Sequence, residues 1–273
     1  MGDLKRSVTL PNGVGMPRLG FGVYDLAEGP EVERAVTVAL EVGYRLIDTA
    51  SLYENEAGVG RAIARSGIAR DEIFLTTKVW NTDQGYESTL RAFEESRKRL
   101  GVETVDLYMI HWPVPGRSQD TWRALERLYR EGAVRAIGVC NFHPQHLEAL
   151  SERAEVTPMV NQVECHPYLS QERVISDCRK RAIQVEAWAP LARGRLDHPV
   201  LLRLAERYAK SPAQIVLRWD IEKGLVTIPK SGRPERIRSN AEIWDFFLTP
   251  EEVQQIDSLN EDWRIGLNPD SIP

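Results

Sequence analysis

Ile73-Phe74-Leu75-Thr76-Thr77-Lys78-Val79 and Val105-Asp106-Leu107-Tyr108-Met109-Ile110-His111 are two short, mostly apolar runs. Between them, residues 86–100 carry a helical pattern that closes on a basic turn and then Gly101, as helix C-termini prefer. Strand, helix and strand in that order make a βαβ unit, whose two strands lie parallel. Lys78 and His111 stand at or near the strand ends, where a parallel α/β sheet carries its chemistry.

Outward from this unit the alternation continues in both directions. Strand-like runs fall at residues 19–24, 45–48, 73–79, 105–111, 136–140, 160–164, 184–188 and 225–228, short and rich in β-branched and aromatic residues. Helical patterns fall at 31–41, 86–100, 120–130, 144–154, 170–181, 200–209 and 235–246. Ser211-Pro212 opens a further helix to 220 and Thr249-Pro250 a last one to about 259, each pairing an N-cap with proline at the first helical position. Residues 260–273 read as a loop. Before the first strand, Pro11-Asn12-Gly13 joins two short extended stretches as a hairpin. Eight strands at a period of about 30 residues, the size of a βαβ unit, predict an α/β chain folded as a (β/α)8 TIM barrel. The N-terminal β-hairpin plugs its bottom, and two extra helices flank the last strand. The rival is a doubly wound open sheet. No linker divides the chain, so residues 1–273 read as one barrel domain.

Composition narrows the function. The net charge of −5 gives no reason to expect nucleic acid or an anionic membrane as partner. Cys140, Cys165 and Cys178 are too few for a disulfide framework, which favours a reducing, cytoplasmic setting. Met1-Gly2-Asp3-Leu4-Lys5-Arg6 lacks an apolar signal core, and no run approaches the roughly 18 apolar residues of a membrane span.

Gly20-Phe21-Gly22 and Gly58-Val59-Gly60 lack the third glycine of a dinucleotide-binding turn, and no phosphate-binding GxxxxGK[ST] is present. Gly22 reads as close packing at a strand end and Gly60 as close helix packing. After the eighth strand, Ile228-Pro229-Lys230-Ser231-Gly232-Arg233-Pro234-Glu235-Arg236 places three basic side chains and a hydroxyl where a helix begins. Barrels bind phosphate in this region; a solvated basic turn is the other reading.

Four residues form the chemical constellation. Asp48 and Lys78 terminate neighbouring strands, so they can pair in the barrel mouth, as a structural ion pair or as part of a site. Tyr53 follows Asp48 in the next loop; a nearby ammonium favours its phenolate, lowers its pKa and suits it to proton donation. His111 is placed to hydrogen-bond a substrate oxygen. Tyr24, Trp80, Trp112 and Trp188 lie at or beyond strand ends, either as core filler or as the walls of an apolar pocket. The amides of Asn141 and Gln162 need partners, from a carboxamide ligand or from backbone. No metal-ligand spacing stands out.

Gly43-Tyr44-Arg45-Leu46-Ile47-Asp48-Thr49-Ala50 with Tyr53-Glu54-Asn55-Glu56 and Gly58-Val59-Gly60 resembles the first signature of the aldo-keto reductases. Lys78-Val79-Trp80-Asn81, Asp106-Leu107-Tyr108, His111-Trp112-Pro113, Gly138-Val139-Cys140-Asn141-Phe142, Asn161-Gln162-Val163-Glu164 and Ile228-Pro229-Lys230-Ser231 resemble later segments, in the family's order. The resemblance spans nearly the whole chain. It is nearest to the bacterial branch of 2,5-diketo-gluconate reductases and glyoxal or methylglyoxal reductases.

That resemblance implies reduction of an aldehyde or ketone by NADPH, with Tyr53 as general acid, Asp48 and Lys78 tuning it and His111 orienting the carbonyl. It implies that Cys140, Asn141 and Gln162 hold the nicotinamide carboxamide and that Trp188 stacks on the ring. Lys230, Ser231 and Arg236 would meet the 2′-phosphate, and Asn240 the adenine. Tyr24, Trp80, Trp112 and Trp263 would line the substrate pocket. Cys140 stands where the family has serine, and a thiol is the weaker donor. Gly232-Arg233 replaces a small apolar pair, Ser239 an acidic or amide residue, and the tail Glu261-Asp262-Trp263-Arg264-Ile265-Gly266 is short. The implied partner is a small carbonyl compound and the implied state a monomer. Two other readings use the same residues: a non-catalytic NADPH-binding protein, and an aldolase with Lys78 as Schiff-base nucleophile.

Overall fold

The computed structural model describes residues 6–272; Met1-Gly2-Asp3-Leu4-Lys5, most of the stretch read for a signal core, and Pro273 lie outside the described residues. The chain opens with β1 (Ser7–Thr9) and β2 (Gly15–Pro17), antiparallel with Val8 opposite Met16. Then follow β3 (Phe21–Gly22), α1 (Pro30–Val42), β4 (Leu46–Asp48), α2 (Glu56–Arg65), β5 (Phe74–Val79), α3 (Tyr86–Leu100), β6 (Val105–Ile110), α4 (Ser118–Arg130), β7 (Val134–Cys140), α5 (Pro144–Ser151), β8 (Val160–Glu164), α6 (Glu172–Lys180) and β9 (Gln184–Trp188). The last part holds α7 (Pro199–Tyr208), α8 (Pro212–Glu222), β10 (Val226–Thr227), α9 (Pro234–Asn240) and α10 (Pro250–Asp257).

Strands β3 to β10 pair in chain order, every pair parallel. The two edges then meet. Leu19 bridges Thr227 in parallel, Gly20 N donates to the Thr227 carbonyl at 2.9 Å, and Thr227 N donates to the Arg18 carbonyl at 3.0 Å. Closure excludes the open doubly wound sheet and gives the (β/α)8 barrel. Strands β5 and β6 are buried on both faces, as strands between a barrel interior and a helical shell must be. The hairpin sits at the N-terminal end of the strands: Asn12 Nδ2 donates to the Arg135 carbonyl in β7 at 2.9 Å, and Leu10 and Met16 are buried.

Side chains alternate along each strand. In β5, Thr77 faces outward and donates to Glu56 Oε1 of α2 at 2.6 Å, so Lys78 faces inward. In β8, outward-facing Asn161 reaches Cys178 of α6, so Gln162 faces inward.

Two elements differ from expectation. Helix α2 has no counterpart in the sequence reading, because Gly58 and Gly60 weaken its helical pattern. The packing explains Gly60: a Cβ there would lie 2.2 Å from the Leu100 carbonyl oxygen of α3, so the two helices approach as closely as glycine allows. Helix α9 ends at Asn240 rather than near residue 246. The carbonyls of Ser239 and Glu242 accept from Gln214 Nε2 and that of Ile243 from Arg218 Nη1, which fastens this backbone to α8. The extra helices flank β10 as expected: α7 precedes α8, and α10 follows α9. No helix among the described residues is long and apolar enough to cross a membrane.

Candidate active site

Asp48 ends β4 and Lys78 lies one residue from the end of β5, the neighbouring strand. Lys78 Nζ donates to Asp48 Oδ1 at 2.7 Å, to the Thr49 carbonyl at 3.0 Å and to Tyr53 Oη at 3.4 Å. Tyr53 closes a 3-10 turn, Ser51–Tyr53, that Ser51 Oγ ties to the Lys78 carbonyl at 2.9 Å. Buried Asn55 fixes the same loop: its Oδ1 accepts from Thr49 Oγ1, and its Nδ2 donates to the carbonyls of Val23 and Leu26. His111 follows β6 and stands edge-on to the rings of Tyr53 and Trp80, with centroids 5.6 and 5.2 Å away.

The electrostatics follow from burial. Lys78 is 0% exposed. Desolvation alone would lower its pKa, but Asp48, Tyr53 and Cys140 outweigh it and hold the ammonium above its ordinary value. His111 is held well below the usual histidine value by burial and then by the Lys78 charge, so its imidazole is neutral. Tyr53 departs from the sequence expectation. Burial pushes its phenol up, and the pull of Lys78 is too weak to offset this. The phenol therefore keeps its proton. Because Lys78 donates into Oη, the O–H is left to point elsewhere.

Cys140, Gln162 and Glu186 form one register row across β7, β8 and β9. Gln162 Nε2 donates to Asp48 Oδ2 at 2.8 Å and to Glu186 Oε2 at 2.7 Å, while its Oε1 meets the Cys140 thiol at 3.7 Å. The Cys140 thiol is pushed up by burial and stays neutral. Asn141, in the left-handed region at φ 65°, donates to the His111 carbonyl at 3.0 Å and accepts from Trp188 Nε1 at 2.9 Å. Glu186 was missed in the sequence. The available signal was an acid at an inward position of β9, two residues before Trp188.

Tyr24, 53% exposed, packs edge-on to Tyr53 at 5.1 Å. Trp112 is half-buried beside His111, its carbonyl accepting from Gln84 Nε2. Trp263 packs on His166 and Tyr168, with Arg195 over its ring. Its segment reaches Trp188 through Gly266, where a Cβ would lie 2.7 Å from the indole. Glu164 secures that segment by accepting from Ile265 N at 2.5 Å and Gly266 N at 3.0 Å.

The basic loop follows β10. Lys230 Nζ lies 3.6 Å from the Asp25 carboxylate, Ser231 Oγ accepts from Arg233 N at 3.1 Å, and Arg236 is exposed in the first turn of α9. Asn240 is buried at the end of α9. Strand β3 links this loop to the Tyr53–Lys78 site, since Gly22 N donates to the Pro229 carbonyl and Val23 N to that of Asp48. Among the described residues no group of three or more His, Cys, Asp or Glu is placed to hold a metal ion.

A model of the aldo/keto reductase family matches residues 18–261. The chain is 53% identical over 271 residues to a glyoxal reductase of Bacillus subtilis (strain 168), covering 99% of this chain and 98% of that protein. Among solved structures it superposes on MGS-M4, an aldo-keto reductase from a Medee basin deep-sea metagenome library, with a TM-score of 0.95 at 46% identity, covering 98% of this chain and 100% of that one. It also superposes on a Gox0644 mutant in complex with NADPH, with a TM-score of 0.91 at 41% identity over 97% and 98% of the two chains.

Proposed function

This chain belongs to the aldo/keto reductase family, and on that premise we propose that it reduces aldehydes or ketones to alcohols with NADPH, using Tyr53 as proton donor. The observation that carries the reading is the Lys78 ammonium, charged by Asp48 and donating to Tyr53 Oη at 3.4 Å.

The residues present suit the cofactor. Among the described residues Gln162 Oε1 has only the Cys140 thiol for a donor, so it remains open to a carboxamide N–H. Trp188, half-buried and held by its Nε1 hydrogen bond to Asn141 Oδ1 at 2.9 Å, suits stacking on the nicotinamide ring. Lys230, Ser231 and Arg236 suit a 2′-phosphate, and Asn240 an adenine. When bound, NADPH supplies the hydride that the carbonyl carbon accepts. Tyr53 gives its phenol proton to the carbonyl oxygen, and the charge left on Oη is stabilised by Lys78. Neutral His111 donates an N–H to that oxygen and orients the carbonyl between Tyr24, Trp80 and Trp112. Trp263 bounds the pocket from the C-terminal segment.

The aldolase alternative requires Lys78 as a free amine, and lysine nucleophiles are made by lowering the pKa. Here the pKa is raised and all three donor directions are occupied. A non-catalytic cofactor binder would bind NADPH without oxidising it. The likeness to a glyoxal reductase makes small dicarbonyls the first compounds for a panel read by NADPH absorbance; turnover of none of them or of larger carbonyls would favour the non-catalytic reading. A single barrel domain over residues 1–273, working as a cytoplasmic monomer, completes the proposal.

Cofactor choice has its own test. Lys230→Ala combined with Arg236→Ala is expected to raise the Kd for NADPH at least tenfold and to leave that for NADH nearly unchanged, a difference of about 1.4 kcal/mol or more. Fluorescence titration measures both. Equal losses for the two cofactors would remove the 2′-phosphate assignment.

A further inference from the structure

We propose that Glu186 is a positioning residue of the reductase site, which through Gln162 fixes the amide that faces the nicotinamide and braces Asp48 against Lys78. The proposal rests on the cofactor reading above. Its geometry is a buried chain running Tyr53, Lys78, Asp48, Gln162, Glu186, with successive contacts of 3.4, 2.7, 2.8 and 2.7 Å.

A primary amide nitrogen carries two hydrogens. On Gln162 both are spent on carboxylates, Asp48 Oδ2 and Glu186 Oε2. The amide is thereby locked, because a flipped Gln162 would turn its oxygen toward the Asp48 carboxylate and the Glu186 carboxyl oxygen and take its N–H groups away from both acceptors. With the nitrogen held, Oε1 points toward Cys140 and stays available as an acceptor. Asp48 alone would hold the nitrogen by one hydrogen and leave the other unsatisfied in a buried site. Glu186 is the second anchor, and it is 0% exposed.

Two carboxylates on one nitrogen cannot both carry charge cheaply in a buried site. Glu186 Oε1 is buried with no hydrogen-bond partner among the described residues, which suits it to hold a proton. Burial first, and then the Asp48 charge, push its pKa up to about 8. The titratable groups facing it are Asp48 from β4, Lys78 from β5 and Cys140 from β7. Gln162 from β8 is neutral, and β10, Val226–Thr227, brings no titratable side chain. Above that pKa a second negative charge appears beside Asp48. Such a charge favours the positively charged oxidised nicotinamide over the neutral reduced one.

The test measures the Kd of NADP+ and of NADPH from pH 6 to 10 by fluorescence titration, which needs no turnover. Both cofactors carry the same 2′-phosphate, so its titration cancels in their ratio. In the wild type the ratio Kd(NADP+)/Kd(NADPH) is expected to fall several-fold through pH about 8. Glu186→Gln keeps an acceptor for Gln162 but has no proton to lose; it should bind both cofactors as the wild type does at pH 7 and show no step. Glu186→Leu removes the acceptor and should weaken NADPH binding about tenfold at pH 7, a loss that the Gln variant does not share. A step near pH 8 that survives in Glu186→Gln would overturn the proposal, as would wild-type binding by folded Glu186→Leu. If Glu186→Leu does not fold, the Gln variant's pH profile decides alone. The outcome is independent of Tyr53: loss of the proton-donor role would show in turnover, and loss of this one in binding.

Discussion

Tyr53→Phe is expected to lower the turnover of NADPH-dependent carbonyl reduction by about 10²–10⁴-fold, the usual contribution of a positioned general acid. The change removes one oxygen and keeps the ring. Edge contacts with Tyr24 and His111 persist, as does the Lys78 ammonium 5.0 Å from the ring centroid. Lys78 retains Asp48 and the Thr49 carbonyl as acceptors. The fold should therefore lose only about 1 kcal/mol, the net worth of one hydrogen bond. NADPH affinity should stay within a few-fold of wild type, because none of the proposed cofactor contacts uses Oη. The signature is a fall in kcat with binding retained, read by NADPH absorbance and fluorescence titration. Retained turnover would sink the proton-donor assignment. Since the phenol pKa is pushed up by burial, phenolate formation should not limit the rate at neutral pH.

Lys78→Met carries the largest expected loss of stability. It leaves the Asp48 carboxylate buried with Gln162 Nε2 as its remaining side-chain donor. Breaking a buried ion pair from one side costs about 3–5 kcal/mol, because the other charge stays uncompensated. The urea midpoint should fall accordingly and activity should be lost. Asp48→Leu with Lys78→Met removes both charges and should recover much of the stability, since apolar replacement of a whole buried pair is often near neutral. Activity should stay absent in the double variant. Recovery of both would mean that the pair serves the fold alone; recovery of neither would mean that the pair's cost on removal lies in packing.

The barrel was legible because its signal is repetitive. Each strand run recurs near its observed place, and β8 and β9 coincide with the runs at 160–164 and 184–188. Asp48, Lys78 and His111 stood out as polar groups at the ends of apolar runs, and period-2 alternation is enough to turn them inward. Helix α2 was lost because Gly58 and Gly60 answer to helix–helix packing, which local propensity does not report. The raised pKa of Tyr53 was not legible either. Sequence shows an ammonium nearby, but only the packed site shows how much water the phenol loses. Glu186 was missed for a related reason. Its partner Gln162 is set by the register of β8 on β9, and its charge state by Asp48 on β4, three strands away around the closed barrel. Trp263 was assigned to the pocket, yet the tail that carries it is fastened by Glu164, a contact between residues about 100 apart in sequence.

The central claim is hydride transfer from NADPH to a carbonyl carbon with the proton drawn through Tyr53. NADPH deuterated at C4 on the transferred face, incubated with the protein and glyoxal or another carbonyl that it turns over, tests this directly. One deuterium is expected on the new carbinol carbon for each NADPH consumed, with the hydroxyl proton coming from solvent, and almost none formed by Tyr53→Phe. Alcohol formed without deuterium on carbon, or tight NADPH binding with no oxidation of the cofactor by any carbonyl, would contradict it.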